Sequence, residues 1–273
     1  MNKPIKRAFL DTADGQIFYR IGGNGKPLLL LHRSPRSSDE FSTIMPILAE
    51  KRWVIAMDLM GYGDSDKPPR TYSMADYAKT AIVLLDELGI KTISILGNHT
   101  GAYVAGEVAV AYPERVEKLI LCNMDYFSEQ EKISLLKYYE DFQIKADPSN
   151  LIKRWSYIES YTGSPELSHR CFLDQLKCFG YPPYGPIAVA NYFSSLEQRF
   201  RLIKCPTLIL SGTEDMKEVE RLGLAKAENR NFILKVIPQG KRIDIEGGTF
   251  CMINQMPEEI SKVVVDFLDR MVD

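Results

Sequence analysis

The sequence predicts an α/β fold, a mostly parallel sheet covered by helices on both faces. Short apolar runs of strand character alternate with helically spaced segments along most of the chain, the pattern of parallel strands joined by crossover helices. The 273 residues are 45% hydrophobic and 26% charged, enough to bury the core of one enzyme-sized domain. The alternation lapses only over residues 124–204, which sets that stretch apart.

Arg7 to Leu10 and Ile17 to Ile21 flank the turn signal Asp14-Gly15 and read as an opening hairpin. Strands are expected next at about 27–31, 53–57, 92–96, 118–122, 206–211 and 232–237. Helices are expected over Asp39 to Ala49, Met74 to Leu88, Ala102 to Tyr112 and Pro257 to Val272, where apolar residues recur at helical spacing. Residues 124–204 are rich in aromatic side chains, among them Phe127, Tyr138, Tyr139, Trp155 and Tyr161. Most of these suit a small core within the segment; together they point to an apolar pocket with a few polar anchors. No internal repeat or low-complexity tract interrupts the pattern.

A net charge of −2 argues against nucleic acid or an anionic membrane as the main partner, since both call for a concentrated basic face. No stretch approaches the ~20 apolar residues of a membrane span, and the N-terminus shows no apolar leader, so a cytoplasmic protein is expected. Five cysteines without a Cys-x-x-Cys suit a reducing compartment. Cys122 and Cys205 read as buried thiols, and Cys171 and Cys178, helically spaced, as packing residues. Gly22-Gly23-Asn24-Gly25 opens no helix and has no Lys-Ser/Thr ending, so it is a turn rather than a phosphate cradle.

Gly97-Asn98-His99-Thr100-Gly101 carries the most information. It follows the apolar run Lys91 to Leu96 and precedes the helical pattern from Ala102, a strand-turn-helix setting. In a Gly-x-Ser-x-Gly nucleophile elbow the central residue stands on a strained turn and points into a pocket. Small flanking residues let strand and helix approach. Here the central residue is His99.

Other segments agree with the elbow: Pro27 to Leu31 ending in His32-Arg33-Ser34-Pro35, Trp53 to Asp58, Gly61-Tyr62-Gly63-Asp64-Ser65-Asp66, and Tyr112-Pro113-Glu114-Arg115 before the run to Leu121. With these segments the chain resembles the α/β-hydrolase superfamily over nearly its whole length. Its layout is most similar to the branch holding epoxide hydrolases, haloalkane dehalogenases and carbon–carbon bond hydrolases, within it an atypical subgroup with histidine in place of the nucleophile. The resemblance implies a core domain of residues 1–123 and 205–273 and a helical cap at 124–204.

The resemblance also shows what is missing. A serine hydrolase of this fold uses a nucleophile, an acid and a base histidine in that chain order. Only His32, His99 and His169 occur, and Thr249 of Gly247-Gly248-Thr249-Phe250 stands where the base is expected. Asp215, in Ser211-Gly212-Thr213-Glu214-Asp215, matches the acid position, with either an orienting or a structural role, and Asp125 is a second acid candidate. The oxyanion donors fall by position on the amides of Ser34 and Thr100. Arg33 replaces a family glycine and, like Arg36, would recognise a carboxylate if turned inward. His32 is either a second acid or base or a brace for the loops around the pocket.

An imidazole near neutral pH is a competent general acid or base. His99, Asp215 and His32 are therefore the catalytic candidates, Ser34, Thr100 and Arg33 the oxyanion and substrate contacts, and no metal or cofactor is expected. Two functions stay open. One is a cofactor-independent hydrolase or lyase acting on a small carbonyl or ester compound, carboxylates included, through His99. The other is a catalytically silent relative that binds a small ligand or a protein partner.

Overall fold

The computed structural model describes residues 4–270, apart from 227, 228, 230 and 238. An eight-stranded sheet runs in the order β1-β2-β4-β3-β5-β6-β7-β8. The hairpin β1 (Lys6–Thr12) and β2 (Gly15–Gly23) turns at Asp14-Gly15, and β2 pairs antiparallel with β4 (Arg52–Met57). β4, β3 (Lys26–Leu31), β5 (Ile93–Asn98), β6 (Val116–Cys122), β7 (Thr207–Gly212) and β8 (Lys241–Ile245) run parallel.

Strands covered on both faces need apolar residues at every position, and β3 supplies them with four consecutive buried leucines. Side chains alternate across a strand, so Leu29 and Leu31 enter one core while Leu28 and Leu30 enter the other. On the first face lie α2 (Met74–Glu87) and α3 (Thr100–Ala111). α2 starts at a capping box made by Ser73 and Asp76. α3 is buried almost all round, so its small residues Gly101, Ala102, Ala105 and Gly106 suit its central place. The other face is covered by α1 (Ile44–Leu48), α10 (Met252–Gln255) and α11 (Pro257–Asp269).

Between β6 and β7 the chain forms α4 (Glu129–Tyr138), α5 (Ser149–Thr162), α6 (Pro165–Leu176) and α7 (Tyr184–Phe200), and no strand. After β7 come α8 (Thr213–Arg221) and α9 (Phe232–Val236).

Three expectations change. The strand expected at 232–237 is helix α9, and the last strand is β8 at 241–245. The run Phe232 to Ile237 is apolar at every position but Lys235, so periodicity cannot separate strand from buried helix. β8 itself, Lys-Arg-Ile-Asp-Ile, carries the charges of a protected sheet edge. The helix expected over 39–49 divides into a 3-10 turn at Ser38–Phe41 and the short α1, whose Pro46 fits only a first turn. The helix expected to reach Val272 is described to Asp269; residues 271–273 lie outside the described residues. Among the described residues no helix is long and apolar enough to cross a membrane.

Candidate active site

β5 delivers the chain to the elbow and α3 leaves from it. His99 sits between them at φ 44° and ψ −113°, a left-handed conformation that a non-glycine residue adopts only when its surroundings impose it. Two contacts impose it here: the His99 amide donates to the Cys122 carbonyl at 2.9 Å, and the His99 carbonyl accepts from Ala102 N–H at 2.8 Å. The flanking glycines are required by close approach. A Cβ at Gly97 would lie 2.1 Å from the Gly101 carbonyl oxygen, and one at Gly101 would lie 2.0 Å from the Leu31 carbonyl oxygen.

The acid expected from sequence meets the elbow histidine. Asp215, in the first turn of α8, is fully buried and its Oδ1 lies 2.9 Å from His99 Nε2. The Asp215 amide donates to the Gly248 carbonyl at 2.8 Å, which fixes the carboxylate beside the elbow. A carboxylate only accepts, so Nε2 carries the proton and Nδ1 holds the lone pair. Asp125, just past β6, joins the pair. One ligand-capable atom from each of His99, Asp125 and Asp215 lies within 4.8 Å of the others. These are the described residues that could hold a metal ion here, one nitrogen and two oxygens, but Nε2 is already in its bond to Asp215.

His99 forms the floor of a cavity of about 80 Å³. At 10–15 Å³ for each water-sized group, that is room for roughly half a dozen. Arg33, Ser34 and Thr100 line it, together with Asp125, Phe127, Tyr138, Tyr139 and Val189 from the stretch between β6 and β7. Elsewhere in that segment Trp155 packs against Phe172 and Tyr157 against Tyr161. Gly185, in the first turn of α7, touches the elbow region directly: a Cβ there would meet Ser34 Oγ at 2.5 Å and Thr100 Cγ2 at 2.9 Å.

Ser34 and Thr100 lie together in the cavity lining. The Ser34 amide makes only a long contact, 3.4 Å, to Thr100 Oγ1. Tyr139 donates to the Ser34 carbonyl at 3.2 Å, and burial holds its phenol well above the ordinary range, so the O–H stays a donor.

Arg33 lines the cavity, but its charge is already matched. Its backbone N–H and Nε donate to the two oxygens of buried Glu40 at 2.9 Å each. Arg36 is fully buried and turned away from the cavity, with Nε on Asp174 of α6 at 2.8 Å. Carboxylate recognition by Arg36 is therefore ruled out by its place in the fold.

His32 is not part of the cavity lining. Its Nε2 accepts from the Leu59 amide at 2.9 Å and its Nδ1 lies 2.9 Å from the Arg33 carbonyl, so both nitrogens are held by backbone. It braces the loops after β3 and β4, and has no free nitrogen for a second acid–base role. Thr249 also stands outside the cavity. Its Oγ1 donates to Gln255 Oε1 at 2.6 Å, and the next residue, Phe250, faces the elbow, ring to ring with His99 at 5.6 Å. Sequence missed Glu40 and Phe250 at this site. Nothing local marks Glu40, whereas Phe250 directly follows Thr249.

The family model described as alpha/beta hydrolase fold matches residues 26–145. Mouse epoxide hydrolase 4 is 28% identical over 250 residues, 82% of this chain and 70% of that protein. An uncharacterized Mycobacterium tuberculosis protein is 40% identical over 103 residues, 38% of this chain; the match spans 30% of that protein's length. A solved hydrolase from Pseudomonas aeruginosa superposes with a TM-score of 0.77 at 20% identity, over 97% of this chain and 99% of that one, and shows the fold. The chain has the α/β-hydrolase fold.

Proposed function

We propose that this chain is a cofactor-independent enzyme in which His99, oriented by Asp215, serves as general base and then general acid on a small carbonyl or ester compound. The observation that carries this reading is the 2.9 Å bond between His99 Nε2 and Asp215 Oδ1 on the floor of the cavity. It makes Nδ1 the basic nitrogen, and the carboxylate stabilises the imidazolium formed when Nδ1 takes a proton. Residues 1–123 and 205–273 form the core domain in this reading, and 124–204 the cap that roofs the cavity.

The proton comes from a water that attacks an ester carbonyl or from a carbon next to a carbonyl. In either case negative charge develops on the carbonyl oxygen, where the Ser34 and Thr100 amides are the donors at hand. Hydrolysis and lyase chemistry share these steps. The size of the cavity restricts the substrate to a compact molecule, and the match between Arg33 and Glu40 favours neutral substrates over carboxylates.

A panel of small esters, lactones and β-hydroxy or β-keto carbonyl compounds tests the proposal, with wild type and His99→Ala compared on whichever compound turns over. General acid–base groups contribute ~10²–10⁴-fold, so a loss of that order is expected with an unchanged unfolding midpoint. Tight binding of a panel compound without turnover would instead identify the silent, ligand-binding relative.

A further inference from the structure

Behind Arg33 two cysteines from distant parts of the chain face each other. Cys171 lies on α6 and Cys251 follows Phe250 after β8, and their sulfurs are 3.8 Å apart, both buried. They are 80 residues apart in sequence, so no spacing pattern could have paired them. Each sulfur also accepts from a buried arginine: Arg33 Nη2 reaches Cys251 Sγ at 3.4 Å and Arg36 Nη1 reaches Cys171 Sγ at 3.0 Å.

A neutral thiol is a weak acceptor for a buried guanidinium, whereas a thiolate is a strong one. The hydrogen bond from Cys171 and the charges of Arg33 and Arg36, working against burial, bring the Cys251 thiol down to about 6. The same hydrogen bond, together with burial, holds Cys171 up as the protonated partner. The two arginines thus favour a thiolate in the pair, with the other sulfur as its hydrogen-bond partner. The remaining cysteines lack this setting, and Cys122, Cys178 and Cys205 are pushed upward by burial.

We propose that Cys171 and Cys251 are a redox-active thiol pair that a small peroxide converts to a disulfide, tying cap helix α6 to the core segment that carries Phe250. Cys251 sulfur attacks one peroxide oxygen, the O–O bond breaks, and hydroxide leaves, giving the sulfenic acid. Cys171 sulfur then attacks Cys251 sulfur, its proton leaves with the displaced hydroxyl as water, and the S–S bond forms. The thiolate and thiol lose two electrons together, and the peroxide is reduced to water and hydroxide. Arg33 lines the cavity and touches Cys251, so a molecule of two oxygen atoms that enters the cavity has one side chain to pass.

The test is hydrogen peroxide added to the reduced native protein, followed by intact-mass measurement and peptide mapping. The expected product has lost two hydrogen atoms, yields a linked peptide pair containing Cys171 and Cys251, and reverts with dithiothreitol. Cys122→Ser and Cys205→Ser still form the link, whereas Cys171→Ser and Cys251→Ser do not. The mapping on wild type stands even where a variant fails to fold. An unchanged mass, gain of oxygen atoms at Cys251 without a link, or a link between other cysteines would overturn the proposal.

Discussion

His99 Nε2 and Asp215 Oδ1 lie 2.9 Å apart, so the acid that in this fold steadies a distant base histidine here steadies the residue at the elbow itself. Asp215→Asn preserves shape but offers an N–H₂ to Nε2. The imidazole then reverses its tautomer and Nδ1 loses its lone pair. The expected outcome is a ~10²–10⁴-fold fall in kcat with little change in unfolding midpoint, measured on the substrate found by the panel.

Serine at the elbow does not restore an esterase. His99→Ser alone is expected to give no efficient turnover of aryl esters, because His32 is held by backbone at both nitrogens and Thr249 points to Gln255. Adding Thr249→His leaves the new imidazole outside the cavity, whereas adding Phe250→His puts it where a ring already touches residue 99. Of the two double variants, only His99→Ser with Phe250→His is expected to hydrolyse aryl esters above background. Equal activity in the Thr249→His double variant would contradict this placement.

The thiol pair sets a pH dependence of stability. Cys251 falls from 9.0 to about 6 in the folded state, under the hydrogen bond from Cys171 and the charges of Arg33 and Arg36, with burial and, less strongly, Glu40 opposing. A depressed folded value contributes stability in full above about pH 9 and loses it as pH falls through about 6. Cys171, shifted upward, acts only above that window. Urea unfolding of the reduced protein between pH 6 and 9 should show wild type gaining stability with pH relative to Cys251→Ala, and parallel curves would refute it.

Arg36 and Asp174 tie the loop after β3 to α6. Arg36 is fully buried and its Nε lies 2.8 Å from Asp174 Oδ2. Removing one partner leaves an unmatched buried charge, which costs about 3–5 kcal/mol, whereas an apolar pair of similar volume is near neutral. Arg36→Met should therefore lose stability of that order in urea, and adding Asp174→Leu should recover most of it.

Much of this arrangement was legible in the sequence because it depends on local pattern. The leucines of β3, the glycines around His99 and the Ser-Gly-x-x-Asp after β7 each fix backbone geometry within a few residues. Long-range pairing was not legible. Asp215 and His99 are 116 residues apart, and nothing in either segment says that the carboxylate reaches the elbow. The charged edge strand β8 was missed because its exposure hides the apolar pattern by which strands are recognised. Thr249 shows the limit of positional matching: one residue further on, Phe250 takes the side of the chain that faces the elbow.

One proton on the His99 ring sets which of its nitrogens is free to act as base. The chain has three histidines, and hydrogen bonding assigns Nδ1–H to His32, whose Nε2 accepts from Leu59, and to His169, whose Nδ1 lies 2.8 Å from the Pro165 carbonyl. His99 alone should be the Nε2–H tautomer. Nitrogen-15 NMR of the neutral imidazoles reads this directly: the expected spectrum has one histidine with a protonated Nε2 and a bare Nδ1, lost in His99→Ala and reversed in Asp215→Asn. A protonated Nδ1 on His99 in the wild-type protein would contradict the assignment of that nitrogen as the base.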